Sequence, residues 1–353
     1  MKILILALSG IGDALMFTPA IALLRRELPD AQIDALVMFK GVNDMYMRNK
    51  NLNNVLFFNF MREGAFNSFN YLLNLRGKYD ATINVYPANR KEYNGIGFLI
   101  GASKRLGVKY LRSGFANFGF LNNVVVTEND NLHNVQENVN LIGKFLKKEF
   151  KDIPSLDFPL LSEDVANADN YLNENGIKKD ELVIGFHPGC AVLKNHIKRR
   201  WEPEKFTALA KKLIGNNNAR VLLFGGPDEY ELAKQICADT GSEKCSLVKS
   251  GNLAQTAAIM KRCNVFVSND SSLMHISAAM KLKVVAIIGP TNTNYIHPWQ
   301  TDYKIASLSL ECAPCFFYSP KPLACSRTDV QFKCIKELDV ESVYKNVLEL
   351  LDA

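Results

Sequence analysis

The sequence predicts an α/β chain built from two successive open parallel sheets, and three observations carry that prediction. Short apolar runs rich in Val, Ile and Leu alternate with amphipathic stretches through most of the length, the pattern of parallel strands covered by helices. At 353 residues the chain exceeds the size at which one hydrophobic core usually stops growing. With 48% hydrophobic and 22% charged residues and no low-complexity tract, it has the apolar content to bury two cores.

Taken in order, residues 2–8, 32–38, 54–59 and 81–86 read as strands, and residues 14–27 as a helix. Residues 89–131 are rich in Gly, Asn and aromatics and show little periodicity, so loops and short elements are expected there. Residues 151–181 carry Asp152-Ile153-Pro154, Phe158-Pro159 and a short polar helix near 166–175, the composition of an interdomain connection. Strands then resume at 182–187, 220–224, 246–249, 265–268 and 284–288, with helices at 204–214, 228–240, 253–262 and 271–280 between them. A last helix, 340–351, gathers Val340, Val343, Val347, Leu350 and Leu351 into one apolar face. The expected divisions are a first domain over 1–160, a connection over 161–180, a second domain over 181–335 and the terminal helix over 336–353.

No run of about 18 apolar residues is present, so no membrane-spanning helix is expected. The apolar stretch Ile3 to Leu8 is short and meets Gly10, Gly12 and Asp13 almost at once, which reads as a buried strand and not as a secretory leader. A cytoplasmic location is expected. The formal net charge of +6 is spread along the chain without a Lys/Arg block, which speaks against a nucleic-acid tail. It reads as solubility, or as favouring phosphorylated ligands and a salt-sensitive approach to an anionic membrane face. Charge alone does not separate these.

Ligands of open parallel sheets bind at the carboxyl ends of strands, so the residues just after each apolar run are the candidates. The first run ends in Ser9-Gly10-Ile11-Gly12-Asp13, with Thr18-Pro19 early in the helix that follows. Two glycines let the backbone turn tightly, and a carboxylate near a helix N-terminus is stabilised by the helix dipole. Asp13 is therefore either a helix cap or a general base at the mouth of a cleft. The missing third glycine argues against a G-x-G-x-x-G dinucleotide site.

In the second half a run ends in His187-Pro188-Gly189-Cys190, and Lys198-Arg199-Arg200-Trp201-Glu202-Pro203 follows. Three adjacent cations in a loop suit phosphate oxygens, although a solvated basic turn has the same composition. Gly225-Gly226-Pro227-Asp228-Glu229 combines close backbone approach with acids that cap a helix or accept from ribose hydroxyls. The most informative stretch ends a buried strand in Ser268-Asn269-Asp270-Ser271-Ser272 and opens a helix. Backbone amides and hydroxyls are then available to a pyrophosphate. His275, four residues after Ser271, sits one turn in, either to reach the phosphates or to pack. Gly289-Pro290-Thr291 closes the next strand.

In this order, G-I-G-D-A-L-x-x-T-P, H-P-G-C, K-R-R-W-E-P, G-G-P-D-E, V-S-N-D-S-S-L-M-H-I-S-A-A and G-P-T, the sequence resembles glycosyltransferase family 9, whose best-known members are the lipopolysaccharide heptosyltransferases. The resemblance runs nearly end to end. It implies a GT-B architecture, two Rossmann-like domains facing an interdomain cleft, with the acceptor held mainly by the first and the nucleotide sugar mainly by the second. It also implies inverting transfer of a heptose from an ADP-activated donor to a lipopolysaccharide core, with no divalent metal or other cofactor required.

On that pattern Asp13 deprotonates the acceptor hydroxyl, with Gly10, Gly12 and Thr18 in the acceptor-side loop. Arg199 falls on the basic residue, lysine in many relatives, that meets the leaving diphosphate. Glu229 falls on the acid that contacts the ribose, and Asp270, Ser271 and His275 on the donor loop, where Ser272 replaces a common glycine. His187, Pro188, Gly189, Lys198, Arg200, Gly225, Gly226, Gly289 and Thr291 complete the expected donor site. The partners implied are a nucleotide sugar and a lipid-linked or oligosaccharide acceptor, with peripheral association at the cytoplasmic face of the inner membrane. Two further readings stay open, another nucleotide sugar used for capsule or surface polysaccharide, and a catalytically silent nucleotide-sugar-binding subunit.

Four of the eight cysteines fall in Cys312-x₂-Cys315-x₉-Cys325-x₈-Cys334. In a cytoplasmic chain this spacing suits a structural tetrahedral zinc, and equally free thiols or disulfides in a loop-rich appendage. Cys190, Cys237, Cys245 and Cys263 read as ordinary buried residues.

Overall fold

The computed structural model describes residues 1–318 and 321–353. The chain divides into two compact units, Met1–Pro159 together with Tyr318, and Leu160–Phe317 with Lys321–Ala353. The first unit holds strands β1 (Lys2–Ala7), β2 (Gln32–Val37), β3 (Asn54–Phe57), β4 (Ala81–Asn84), β5 (Lys104–Lys109) and β6 (Val124–Thr127). They are parallel, in the order β3-β2-β1-β4-β5-β6. The second holds β7 (Val183–His187), β8 (Arg220–Leu223), β9 (Cys245–Leu247), β10 (Val265–Asn269), β11 (Lys283–Ile287) and β12 (Tyr303–Ala306), again parallel, in the order β12-β11-β10-β7-β8-β9. Each unit thus has the same doubly wound order, as the sequence predicts for Rossmann-like halves. Every residue of β7 and β10 and all but the first of β1 is buried. Helices on both faces require this, and it is why these strands read as unbroken apolar runs.

The helix expected over 14–27 is two helices, Ile11–Met16 and Thr18–Glu27. Pro19 has no amide hydrogen to continue the first helix and is suited to the first turn of the second. Thr18 closes the junction by donating its hydroxyl to Leu15 O at 2.7 Å.

Residues 89–131, expected as loops and short elements, hold the helix Lys91–Ile100 and the strands β5 and β6. Their polar composition conceals a buried amide ladder. Asn94 Oδ1 accepts from Asn84 at 3.0 Å and from Asn122 at 2.8 Å, and its own Nδ2 donates to Asn117 O at 2.7 Å. Asn117 Nδ2 and Ser113 Oγ then both donate to Asn89 Oδ1, at 3.0 and 2.7 Å. Asparagine is used here as cross-linker, so the hydrophobic periodicity that reveals a strand is diluted. The edge strand β12 escapes the sequence reading for a related reason, since only Ala306 of its four residues is fully buried.

In the second unit the helix Ser162–Glu174 packs against the helix Leu253–Met260, so the segment read as a connection is part of this unit's helical layer. The terminal helix Val340–Asp352 lies on the helix Pro203–Asn217 and on β11 and β12. Its Val343, Val347 and Leu350 enter the same core as Trp201 and Phe206. Among the described residues no helix is long and apolar enough to cross a membrane.

Asn94→Ala removes one acceptor and one donor from a buried network. It is expected to lower the unfolding free energy by about 1–3 kcal/mol, read as a lower urea midpoint with an unchanged slope.

Candidate functional site

The polar cluster of the second unit is organised by three consecutive residues at the end of β10. Asn269 is fully buried. Its Oδ1 accepts from Trp201 N at 3.0 Å and its Nδ2 donates to Pro188 O at 2.7 Å, tying the loop after β7 to the Arg-Arg-Trp loop. Asp270 Oδ2 accepts from Arg199 Nη1 at 2.5 Å and from Thr291 Oγ1 at 2.7 Å. Ser271 Oγ lies 2.8 Å from His187 Nδ1, and His187 Nε2 lies 3.0 Å from Glu229 Oε2. A carboxylate only accepts, so Nε2 donates to Glu229.

Glu229 joins the loop after β8 to the same cluster. Burial raises its pKa, but the His187 hydrogen bond and charge, the Gly226 amide and Arg200 outweigh that and hold the carboxyl below its ordinary range. Its Oε2 accepts from Gly226 N at 3.0 Å, while Arg200 Nη2 reaches Oε1 at 3.4 Å and Cys190 O at 2.7 Å. A Cβ at Gly189 would stand 1.8 Å from Glu229 Oε1, so a larger residue there would displace the Glu229 carboxylate. Gly289 is equally confined, with Ile335 Cγ1 2.6 Å from where its Cβ would be. Lys198 and Gly226 are exposed, and Gly225 and Ser272 half-buried.

Two histidines are kept neutral. His275 is buried in the helix Ser272–Ala279 and its Nδ1 has no partner among the described residues. Burial pulls its pKa down to about 4. His196, which spacing did not single out, is likewise pulled to about 4 by burial and by Arg199, and its Nδ1 faces Arg199 Nη2 at 3.1 Å. The Arg199 guanidinium lies 5.8 Å from the centre of the Phe316 ring, so it is positioned by Asp270, His196 and Phe316 together. The signal for His196 was its place three residues before Arg199; Phe316 had none.

In the first unit Asp13 is the third residue of the helix Ile11–Met16, half-buried, just beyond the carboxyl end of β1. The N-cap position is held by Gly10, which has open space around it, so Asp13 is not the cap. Gly12 is half-buried. Thr18, expected in the acceptor-side loop, instead faces inward. It is fully buried, donates to Leu15 O and accepts from Asp157 N at 2.8 Å. Near the same sheet edge, Tyr86 OH donates to Glu128 at 2.8 Å, and Glu137 is pushed up to about 7 by burial and by Glu128, against the Asn129 amide. Asn89 Nδ2 donates to Tyr318 O at 2.9 Å and Asn134 Nδ2 to Tyr318 OH at 2.6 Å.

Cys312, Cys315, Cys325 and Cys334 line one cavity with Pro290 and Phe332, and none is in a disulfide. Phe332 N donates to Cys325 Sγ at 3.2 Å. Among the described residues no three His, Cys, Asp or Glu are arranged to hold a metal ion, so the quartet expected for zinc is gathered without forming a coordination shell. Cys190, Cys245 and Cys263 are buried as expected, while Cys237 is half-buried with its sulfur 3.6 Å from that of Cys245.

The family model of glycosyltransferase family 9 (heptosyltransferase) matches residues 74–322, well over half of the chain. The chain belongs to glycosyltransferase family 9. This family 9 chain is similar to lipooligosaccharide heptosyltransferase 2 of Campylobacter jejuni, 30% identical over 213 residues, which are 58% of the chain and 60% of the relative's length. Its fold matches the family 9 glycosyl transferase of Veillonella parvula with a TM-score of 0.76 at 22% identity, over 99% of the chain and 97% of that structure. It also matches the ADP-heptose lps heptosyltransferase II of Escherichia coli with a TM-score of 0.74 at 20% identity, over 99% and 98%. These likenesses give the two-sheet GT-B fold.

Neutral burial of His275 makes stability depend on pH. Its folded pKa lies below that of the free side chain, so its contribution is complete above about pH 6.5 and is lost as pH falls towards about 4. Urea unfolding across this window is expected to show His275→Gln flattening the slope by up to about 1.4 kcal/mol per pH unit.

Proposed function

We propose that the chain transfers a heptose from an ADP-activated donor to a lipopolysaccharide core or a related cell-envelope glycan, inverting the anomeric carbon and using no divalent metal. The relatives named as heptosyltransferases support the sugar and the pathway, and the Escherichia coli structure named for ADP-heptose supports the donor. The single observation that carries the donor site is the Asn269-Asp270-Ser271 hub, which draws four loops of one sheet edge around the start of the helix Ser272–Ala279.

In this mechanism the diphosphate lies against the first amides of that helix, where unpaired N–H groups and the helix dipole favour an anion. Arg199, fixed by Asp270, and Arg200, fixed by Cys190 O and Glu229, face the charge that grows on the leaving group. Donors that need no rearrangement during the step are the effective ones. Asp13 takes the proton of the acceptor hydroxyl. The oxygen forms its bond to the anomeric carbon from the face opposite the diphosphate, and the carbon–oxygen bond to phosphate breaks, its electron pair leaving with ADP.

Asp13→Asn is expected to lower turnover about 10²–10⁴-fold while the thermal shift produced by ADP stays that of wild type. Equal loss of both contradicts the base assignment. Chelation with EDTA is expected to leave the transfer rate unchanged. A thermal-shift panel of ADP, UDP, GDP and their sugars tests the donor, since a selective ligand stabilises the native state by mass action. UDP or GDP selectivity assigns the chain to another surface polysaccharide.

A further inference from the structure

The first unit has an outer surface that the transfer step does not use. Its helix Gly64–Leu75 is apolar on two faces. Leu72 and Leu75 pack inward, whereas Phe66, Phe69 and Leu73, spaced i, i+3, i+7 on the opposite side, are exposed, Phe66 to 76%. A scattered exposed apolar residue is ordinary, but an apolar outer stripe on a surface helix calls for a second contact. The adjoining helix Lys91–Ile100 also exposes an aromatic side chain, Phe98. Arg105 lies over the Phe98 ring at 5.7 Å and donates its Nε to Leu121 O at 2.7 Å. That carries the layer on to Phe115 and Phe120, 82% and 62% exposed, with ring centres 6.4 Å apart.

Charge selects the occupant. Arg62 and Arg76 flank the helix Gly64–Leu75 and Arg105 lies over Phe98, and the segment 61–121 that supplies these side chains holds nine Lys or Arg against three Asp or Glu. Residues 1–159 hold 19 against 14, so +5 of the chain's net +6 lies in the first unit. A second copy of the same face would set cation against cation. An anionic bilayer offers phosphates to the cations and acyl chains to the rings.

We propose that this face docks on an anionic lipid bilayer, with Phe66, Phe69 and Leu73 entering the boundary between headgroups and acyl chains and Arg62 and Arg76 meeting lipid phosphates. Arginine suits this, because its apolar stem lies along the rings while the guanidinium stays at headgroup level. The docking deepens the transfer reading, since a lipid-linked acceptor lies in such a surface, but its test involves no turnover.

The test is co-sedimentation of the full chain with vesicles of equal parts phosphatidylglycerol and phosphatidylethanolamine, and with vesicles of phosphatidylcholine. Wild type is expected to bind the anionic vesicles about tenfold more tightly than the zwitterionic ones, and less so as salt rises. The triple variant Phe66→Ser, Phe69→Ser, Leu73→Ser is expected to lower partitioning by about tenfold or more. Circular dichroism and the unfolding midpoint check its fold. Should it not fold, the charge variant Arg62→Glu, Arg76→Glu carries the test, with the same loss expected. The proposal is overturned by wild type that stays in the supernatant or binds both vesicles alike, or by a folded triple variant, or the charge variant, that binds like wild type. Light scattering that shows a wild-type dimer which the triple variant reduces to monomer also overturns it, by assigning the face to a second copy. Failure of the transfer reading would appear in nucleotide binding and turnover, neither of which is measured here.

Discussion

The second unit depends on one strand end. Asn269, Asp270 and Ser271 are consecutive, yet their side chains reach the whole connection from the end of β7 to the helix Pro203–Asn217, at His187, Pro188, Arg199 and Trp201, and the loop after β11, at Thr291. A strand turns successive side chains to opposite faces, so a polar run at the point where β10 gives way to a helix can fan out in this manner. Four of these five bonds are buried and the Ser271–His187 bond is partly so, and a buried polar group without its partner is destabilising by more than the bond contributes when made. The loops are therefore held together or not at all, which is how irregular chain becomes a fixed frame.

The first unit reaches a similar end by another route. There the carboxyl edge of the sheet is braced by amides, with Asn94 at the centre and Asn84, Asn89, Asn117 and Asn122 around it. Amides both donate and accept and carry no charge, so the ladder is built without an ion pair, although Asn84 Oδ1 is left without a partner among the described residues. In the second unit the bracing is ionic, through Arg199 with Asp270 and Arg200 with Glu229. The two sheets share one strand order but differ in the chemistry of their rims.

Legibility in the sequence followed burial. The strands β1, β7, β10 and β11 are apolar except at their ends and were read to within a residue or two, because a parallel strand covered on both faces has few polar positions to blur it. β5 and β6 were not read, since their surroundings are cross-linked by asparagine and aromatic side chains. The loops bearing Arg199, Glu229, Asp270 and Ser271 were legible from the rule that ligands lie beyond strand ends. What spacing could not give was the partnering. That Asn269 is the staple, that His196 and Phe316 position Arg199, and that Thr18 faces inward all depend on contacts between residues far apart in the chain.

The ionic pairing of the second unit also determines how a charged ligand is first sensed. Because Arg199 and Arg200 each already face a carboxylate, their fields largely cancel a few ångströms away, and only Lys198 at the surface projects unopposed charge from this triplet. Long-range attraction, which scales with uncompensated charge, is correspondingly weak. Discrimination then falls to close-range shape, donor direction and the fit of a base, so that small anions abundant in a cell are not gathered there merely for being negative.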